Sequence, residues 1–384
     1  MEFVAKTLYG LEKVLSEELA DLGAENIRPA NRAVLFSGNR ELLYRVNYLS
    51  RLALSVLVTV KEFRISSRED LYDKALAVRW SDVMDAGTTF SVTAVVKSPL
   101  FEHSAFPGLV VKDAIADYFR KKSGKRPSVD TKDPSVAVNL HISHDRVSIS
   151  IDSSVVPLYK RGYRVEQGAA PLNEVLAAGI LRIAGWDGKT PFLDPMCGSG
   201  TFPVEAGLIA ANIAPGKFRS FFGFTKWMDY DEELFSAIKR KATDEEVVPE
   251  VRIRASDILE SAVNETKANL KNAGIENIVE VSVSDIRNVS AKGEKGHVFI
   301  NPPYGQRIRP DELENLYNNI GSVMKHSFTG NKVWVITAAK DLIRNIGLKP
   351  GVKQVLFNGA LESVLLGYEI YEGSRKPAKD KTST

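Results

Sequence analysis

Short apolar runs alternate with helical stretches through the second half of this chain. The strand-like runs lie at 190–194, 251–257, 279–284, 297–300 and 332–338. Strands that alternate with helices are joined by crossovers, and this order favours a mainly parallel sheet with helices on both faces. Two later runs, 353–357 and 363–370, predict an antiparallel hairpin at the edge of that sheet. The sequence therefore predicts an α/β, Rossmann-like domain.

The first half of the chain has a different pattern. Apolar residues at helical spacing are found at 10–19, 41–49, 71–80 and 108–122, and strand-like runs at 33–36, 89–96, 136–142 and 146–151. The last two of these runs are separated by three residues and resemble a hairpin. This half is therefore predicted to be α+β with short elements. A polar, turn-rich stretch at 157–170 separates it from the alternating half.

Composition limits the classes of protein to which the chain can belong. Its 384 residues are 44% apolar and 26% charged, which is ordinary for a globular protein with several cores. We find no apolar run near the roughly 20 residues that span a bilayer, and no pattern typical of a signal peptide. The single cysteine, Cys197, excludes an intrachain disulfide and an all-cysteine metal site. We therefore expect a cytosolic protein without a membrane partner.

A loop rich in small residues follows the first strand of the alternating half. Phe192 to Asp194 ends this strand, Gly198 and Gly200 allow a tight turn, and a helix is predicted at 202–213. Neither a G-x-G-x-x-G set nor a P-loop lysine is present, so the loop does not match a phosphate-binding fingerprint. It suits instead a nucleoside that bears a carboxylate and an ammonium, with the ammonium beside Asp194.

Two more acids follow the next two strands. Asp257 ends the strand at 251–257, and Asp285 follows the strand at 279–284. Sheets of this kind bind ligands beyond the carboxyl ends of their strands, where Asp257 could accept from two ribose hydroxyls and Asp285 from an adenine amino group. Each acid alone could equally be a helix cap or a turn residue. Three acids at successive strand ends together favour a binding site.

The tetrapeptide Asn301-Pro302-Pro303-Tyr304 follows the apolar run 297–300. The two prolines stiffen the loop and lack N–H groups, so their carbonyls are free to accept hydrogen bonds. Asn301 adds a side-chain carbonyl and Tyr304 adds a flat aromatic face. This combination suits a planar base with an exocyclic amino group, whereas a plain turn is the alternative that the tetrapeptide alone leaves open.

Basic residues cluster in the last turn of the helix predicted at 108–122 and directly after it. The cluster comprises Arg120, Lys121, Lys122, Lys125 and Arg126. Such a cluster could contact phosphates of a nucleic acid, or it could complement the dipole at the end of the helix. An aromatic-rich connection at 218–227 is similarly open to two interpretations, as the border of a base pocket or as a loop packed over a sheet.

The sequence resembles class I S-adenosylmethionine-dependent methyltransferases that act on amino groups. The resemblance lies in the segment from Asp194 to Thr201 and, about 100 residues later, in Asn301 to Gly305. The preceding half resembles a THUMP domain with a ferredoxin-like subdomain. The segments 161–164 and 170–178 are similar to the joining region of the RlmL family of 23S rRNA guanine-N2 methyltransferases.

This resemblance implies a domain order and a cofactor site. The domains are a ferredoxin-like subdomain at 1–50, a THUMP RNA-binding domain at 43–155, a cofactor-covering linker at 156–172, a class I methyltransferase domain at 173–372 and a disordered tail at 373–384. The resemblance implies that S-adenosylmethionine is the cofactor. The cofactor-binding residues that it implies are Asp194, Cys197, Gly198, Gly200, Thr201, Asp257 for the ribose, Asp285 for the adenine, and Pro171 and Leu172 as a cover.

The resemblance also implies the substrate and the reaction. Asn301 and the carbonyl of Pro302 would accept the two hydrogens of a guanine 2-amino group, Pro303 would stiffen the loop, and Tyr304 would stack on the base. The RNA would be 23S rRNA or a pre-50S particle, bound in part by the basic cluster, and no metal would be needed. The alternatives are a tRNA guanine-N2, adenine-N6 or protein-glutamine methyltransferase, and a non-catalytic RNA-binding assembly factor.

Overall fold

The computed structural model describes residues 1–164, 171–303 and 309–371. The chain divides into two compact units, one containing 1–162 and 214–244 and the other containing 163–213 and the chain from 245 onward. The chain therefore crosses from one unit to the other three times. The structure describes neither Tyr304 nor the predicted tail at 373–384, and the predicted linker at 156–172 is described except for 165–170.

The described residues form fifteen strands and nine α-helices. The strands are β1 (Glu2–Lys6), β2 (Glu25–Ala30), β3 (Ala33–Ser37), β4 (Ser55–Arg64), β5 (Thr89–Lys97), β6 (Ser128–Val129), β7 (Val136–Ser143), β8 (Arg146–Asp152), β9 (Phe192–Asp194), β10 (Ile253–Asp257), β11 (Val279–Val283), β12 (His297–Ile300), β13 (Lys332–Thr337), β14 (Val352–Asn358) and β15 (Leu361–Glu369). The helices are α1 (Glu12–Asp21), α2 (Arg40–Leu49), α3 (Arg68–Leu76), α4 (Phe106–Ser123), α5 (Glu174–Ile183), α6 (Thr201–Ala210), α7 (Glu232–Asp244), α8 (Glu260–Asn272) and α9 (Pro310–Ser327).

The first unit is built on one sheet of eight described strands in the order β2-β3-β1-β4-β8-β7-β5-β6. Strand β4 joins its two halves, because β4 pairs antiparallel with β1 on one side and with β8 on the other. Its segment Ser55–Arg64 is not among the predicted strands, although it begins with a β-branched run. Helices α3 and α4 cover one face, where Trp80, Phe90 and Ile115 are fully buried. The predicted α+β architecture is confirmed.

The second unit is built on a sheet of seven described strands in the order β11-β10-β9-β12-β13-β15-β14. The first five strands are parallel, and β15 pairs antiparallel with both β13 and β14. The predicted parallel sheet and its closing hairpin are therefore confirmed. This order places the carboxyl ends of β10, β9 and β12 side by side. Asp257, Asp194 and Asn301 occupy those three ends.

The segment 214–244 follows α6 along the chain but belongs to the first unit. Phe224 stacks on Tyr44 of α2 with ring centroids 4.4 Å apart, and Phe222 stacks on Phe224 at 5.5 Å. Arg219 donates hydrogen bonds to the backbone carbonyls of 156, 157 and 160 at 2.8–2.9 Å. Within the first unit, the aromatic-rich connection therefore forms a core of its own against α2.

No helix in the described part of the chain is long and apolar enough to cross a membrane.

Candidate active site

A cavity of about 650 Å³ opens at the carboxyl ends of β9, β10 and β12 in the second unit. Its lining residues are Pro171, Leu172, Asp194, Met196, Cys197, Gly198, Ser199, Thr201, Phe202, Asp257, Ile258, Leu259, Ser261, Ala262, Glu265, Asn301 and Pro303. Most of the residues predicted to hold a cofactor and two of those predicted to act on the substrate therefore border the same space. Gly200, Asp285 and Pro302 are not among the lining residues.

Neighbouring side chains hold the glycine loop between β9 and α6. Asp257 Oδ2 accepts a hydrogen bond from the Gly198 N–H at 2.9 Å, and Thr266 Oγ1 donates to the Gly198 carbonyl at 2.7 Å. Asn269 Nδ2 donates to the Ser199 carbonyl at 2.9 Å. The backbone of the loop is therefore fixed from β10 and α8.

Gly200 has a packing role in this arrangement. It has a φ of +83°, and a Cβ at this position would lie 2.7 Å from Cγ2 of Thr266. Any larger residue would be strained by the backbone conformation and would collide with the same side chain that holds Gly198.

Thr266 and Asn269, which hold the backbone of the glycine loop, are not among the residues predicted from the sequence. Both side chains are fully buried on α8, at a spacing of three residues, and they lie on the same face as Val263 and Leu270. Polar residues on the buried face of an amphipathic helix require partners, and this requirement is the signal that could have identified them.

Asp194 lies at the base of the cavity. Its side chain is almost completely buried, and Oδ1 accepts a hydrogen bond from the Met196 N–H at 3.1 Å. Burial raises the pKa of Asp194 well above its usual value, the hydrogen bond from Met196 opposes this rise, and the nearby Asp257 adds to it. The carboxyl group therefore lies in a desolvated position, and the Met196 N–H donates to it there.

Cys197 borders the cavity as a small buried side chain. Its Sγ lies 3.6 Å from Oγ1 of Thr266, and burial raises the pKa of its thiol, with a further contribution from Asp194. A thiol whose thiolate form is disfavoured is a weak nucleophile. This geometry suits a residue that packs beside the cofactor.

The segment Pro171–Leu172 is held over the glycine loop by polar contacts. Arg164 donates to the Leu172 carbonyl at 3.1 Å and to Thr201 Oγ1 at 2.7 Å. The same guanidinium pairs with the buried carboxylate of Glu174 at 2.6 Å. Arg164 therefore ties this segment to the start of α6, a role that the sequence analysis did not assign to it.

Asp285 has a local structural role in this structure. Its carboxylate caps the short 3₁₀ turn Ile286–Asn288 and pairs with Arg287 at 2.7 Å. The hydrogen bond with Arg287 lowers its pKa, and this effect outweighs partial desolvation. The predicted contact of Asp285 with an adenine amino group stays a prediction.

Asn301 presents an unsatisfied acceptor at the other side of the cavity. It follows β12, whose four residues are all buried. Its Oδ1 is buried and has no hydrogen-bond partner among the described residues. Pro302 is buried and Pro303 is exposed at the cavity. The predicted stacking residue, Tyr304, lies outside the described residues.

The predicted RNA-contacting residues lie at the end of α4 in the first unit. All five are exposed, namely Arg120, Lys121, Lys122, Lys125 and Arg126. Arg120 pairs with Asp117 at 2.9 Å, whereas the Lys122 ammonium lies 5.7 Å from the Tyr118 ring centroid. Because α4 ends at Ser123, both the phosphate-contacting and the helix-dipole interpretations are consistent with their positions.

Sequence profiles of known families match three successive parts of the chain. An RlmL ferredoxin-like domain matches residues 2–57, a THUMP domain matches 66–152, and an RMKL-like methyltransferase domain matches 161–366. The chain belongs to the RMKL-like methyltransferase family. Its resemblance to RlmL-type proteins is thereby confirmed, as is the order of the predicted fold types.

Relatives in this family match the chain over either nearly all or about half of their own length. A Synechocystis protein with the provisional name RNA methyltransferase slr0064 is 36% identical over 371 residues, which are 96% of this chain and 97% of that protein. A ribosomal RNA large subunit methyltransferase K/L of Psychromonas ingrahamii is 35% identical over 388 residues, which are 98% of this chain and 51% of that protein. The chain therefore spans about half the length of this K/L relative.

A solved structure links the family to its cofactor. The methyltransferase SMU.472, crystallised with S-adenosylhomocysteine, superposes with a TM-score of 0.88 at 28% identity and covers 97% of this chain and 99% of its own. The cavity in the present structure fits such a ligand, because carboxylates and a glycine loop stand beside exposed apolar side chains at Ile258 and Leu259. The cofactor of the present protein is therefore S-adenosylmethionine.

Proposed function

We propose that this protein methylates the exocyclic N2 amino group of a guanine in large-subunit ribosomal RNA. The name of the K/L relatives supports the RNA class, and the resemblance to the RlmL family supports guanine. The observation that carries the proposal is the buried Oδ1 of Asn301, an atom at the cofactor cavity to which none of the described residues donates a hydrogen bond. A buried acceptor left open in a ligand cavity calls for a hydrogen-bond donor from the ligand.

The amino group of guanine is a poor nucleophile because its lone pair is delocalised into the ring. In the proposed reaction, Asn301 Oδ1 accepts one hydrogen of this group and the backbone carbonyl of Pro302 accepts the other. Two acceptors on one side favour a pyramidal nitrogen and direct its lone pair toward the methyl donor. Acceptors already fixed in place stabilise the positive charge that develops on nitrogen, and they need no reorganisation during the reaction. The new bond from N2 to the methyl carbon would form as the bond from that carbon to sulfur breaks, S-adenosylhomocysteine would be the leaving group, and N2 would then lose its extra proton to water.

S-adenosylmethionine supplies an electrophilic methyl group when it is bound. The glycine loop and Asp257 orient it, and the stiff segment Asn301–Pro303 orients the base against it. Holding two reactants in a reactive geometry can contribute roughly 7–11 kcal/mol to lowering the barrier. A base in a paired RNA would have to leave its stack to reach the cavity, and Tyr304 is proposed to stack on it there.

The first unit is proposed to hold the RNA by shape and backbone charge. Structured RNA is recognised mostly through phosphates, ribose hydroxyls and groove shape. The exposed cations at the end of α4 supply charge for such contacts. Lys121 and Lys125 are expected to contribute more than Arg120, because Arg120 already pairs with Asp117.

The test is nucleoside analysis after incubation with labelled S-adenosylmethionine and separate ribosomal RNA and transfer RNA pools. The proposal expects label in N2-methylguanosine, and only in the ribosomal pool. Label in N6-methyladenosine would contradict the guanine assignment, and label in the transfer RNA pool would move the substrate to tRNA. Cofactor binding without any transfer to either pool would favour an RNA-binding assembly factor.

A further inference from the structure

Glu265 is a carboxylate of the cavity that neither the sequence nor the family resemblance assigns. It lies on α8 and lines the cavity with Ser261 and Ala262 of the same helix. One of its oxygens, Oε1, is buried and has no hydrogen-bond partner in the described part of the chain. A buried carboxylate oxygen without a donor is costly, so its retention at a ligand cavity points to a donor on the ligand.

The other two carboxylates that the described residues contribute to the cavity wall already have donors from the protein. Asp257 accepts from the N–H of Gly198 with one oxygen and from the N–H of Leu259 with the other. Asp194 accepts from the N–H of Met196, and burial raises its pKa. Among these three carboxylates, Glu265 therefore has the most open capacity for a cationic donor.

The position of Glu265 indicates which end of the cofactor it faces. Glu265 lines the same cavity as Gly198 and Ser199 of the glycine loop, and the next residue on its helix, Thr266, donates to the Gly198 carbonyl. The free N–H groups at the start of a helix favour the carboxylate of an amino acid. An amino-acid end presented to this loop carries its ammonium one carbon away from that carboxylate, where a protein carboxylate is its natural partner.

We propose that Glu265 binds the ammonium group of S-adenosylmethionine and so selects cofactors that carry an intact amino-acid end. From the sequence alone, Asp194 is the expected partner of this ammonium, whereas in the structure Glu265 on α8 is the cavity carboxylate with a buried oxygen that no described residue reaches. The inference concerns cofactor binding only, and it does not depend on which nucleotide is methylated.

The experiment is calorimetric titration of the full-length protein with two ligands. One ligand is S-adenosylhomocysteine, and the other is its deamino analogue, which lacks only the amino group. Glu265→Gln is expected to weaken S-adenosylhomocysteine binding by about 10- to 100-fold, the range for a hydrogen bond to a charged group. It is expected to leave binding of the deamino analogue unchanged within about two-fold, because that ligand has no ammonium to lose.

A matched control is Glu260→Gln, which removes the same charge from an exposed position at the start of α8. This control is expected to bind both ligands like the unmodified protein. Equal losses for the two ligands in Glu265→Gln would overturn the proposal, because the residue would then serve the nucleoside or the fold. Unchanged binding of both ligands would overturn it as well.

Discussion

The two sides of the cavity differ in how their polar groups are satisfied. On the glycine-loop side, the backbone groups of Gly198 and Ser199 have partners from Asp257, Thr266 and Asn269. On the acceptor side, the Oδ1 of Asn301 is buried and no described residue donates to it. The protein itself holds the backbone of the glycine loop, although Oε1 of Glu265 beside it stays open, whereas the acceptor on the other side lacks a donor among the described residues.

This difference separates two tasks of a methyltransferase. A loop whose own hydrogen bonds are complete keeps its shape before the cofactor arrives, so binding does not have to order it. An acceptor that is fixed but unsatisfied gains its partner when a substrate amino group enters. It then contributes modestly to RNA binding and more strongly to the reaction step, where positive charge develops on the nitrogen. Changes on the loop side should therefore alter cofactor affinity, and changes at Asn301 should alter the rate of transfer.

The largest effect is expected from Asn301→Ala. Loss of one fixed electrostatic group from an active site commonly lowers kcat by about 100- to 1,000-fold, and we expect a loss of this size here. The affinity for S-adenosylhomocysteine should stay within about two-fold, because the glycine loop is untouched. Parallel calorimetry and single-turnover transfer assays would measure both quantities. A loss confined to cofactor affinity would contradict a role of Asn301 in the transfer step. The variant Asn301→Asp, which keeps an acceptor, should lose less transfer activity than Asn301→Ala.

A smaller effect is expected from Asp257→Asn, and it should appear in cofactor affinity instead of the rate of transfer. An amide has one acceptor oxygen, so it cannot serve both the Gly198 and the Leu259 N–H groups as the carboxylate does. Cofactor affinity is expected to fall by about 10- to 100-fold, while kcat at saturating cofactor changes little. Titration of S-adenosylhomocysteine checks this. A fall in kcat without a change in affinity would contradict the role of Asp257 on the binding side.

The smallest effect is expected from Thr266→Val, which keeps the shape but removes the hydroxyl that donates to the Gly198 carbonyl. A neutral hydrogen bond corresponds to about 3- to 10-fold in cofactor affinity. Thr243→Val is the matched control, since its hydroxyl bonds a helix carbonyl in the first unit. Equal affinities for the Thr266 variant and the control would show that the loop holds its shape without α8.

Much of the fold could be predicted, because the spacing of apolar residues indicates the helices and strands and their alternation along the chain indicates how the strands pair. The buried strand His297–Ile300 and its neighbours are recognisable as short apolar runs, and alternation with helices makes their pairing parallel. Strand β4 was missed although its sequence favours a strand, because it lies between two helical patterns. The return of 214–244 to the first unit could not be read from periodicity, since it depends on contacts such as that between Phe224 and Tyr44.

The candidate site could be predicted only as far as its loop residues. Asp194, Gly198 and Asn301 stand at strand ends, where sequence position alone predicts proximity. The residues that hold these loop residues by hydrogen bonds do not lie at strand ends. Thr266 and Glu265 lie on a helix about 70 residues beyond the loop, and only the packed structure shows which backbone groups they reach and which oxygens stay open.

The central claim is that Asn301 keeps an acceptor open for the amino group of the target base. The most direct measurement is a binding cycle with RNA that carries at the target position either unmethylated guanosine or inosine, which lacks the 2-amino group. The unmodified protein should bind the guanosine RNA about 3- to 10-fold more tightly, and Asn301→Ala should show a smaller preference, because only the Pro302 carbonyl then accepts from the amino group. The same preference in both proteins would contradict the claim.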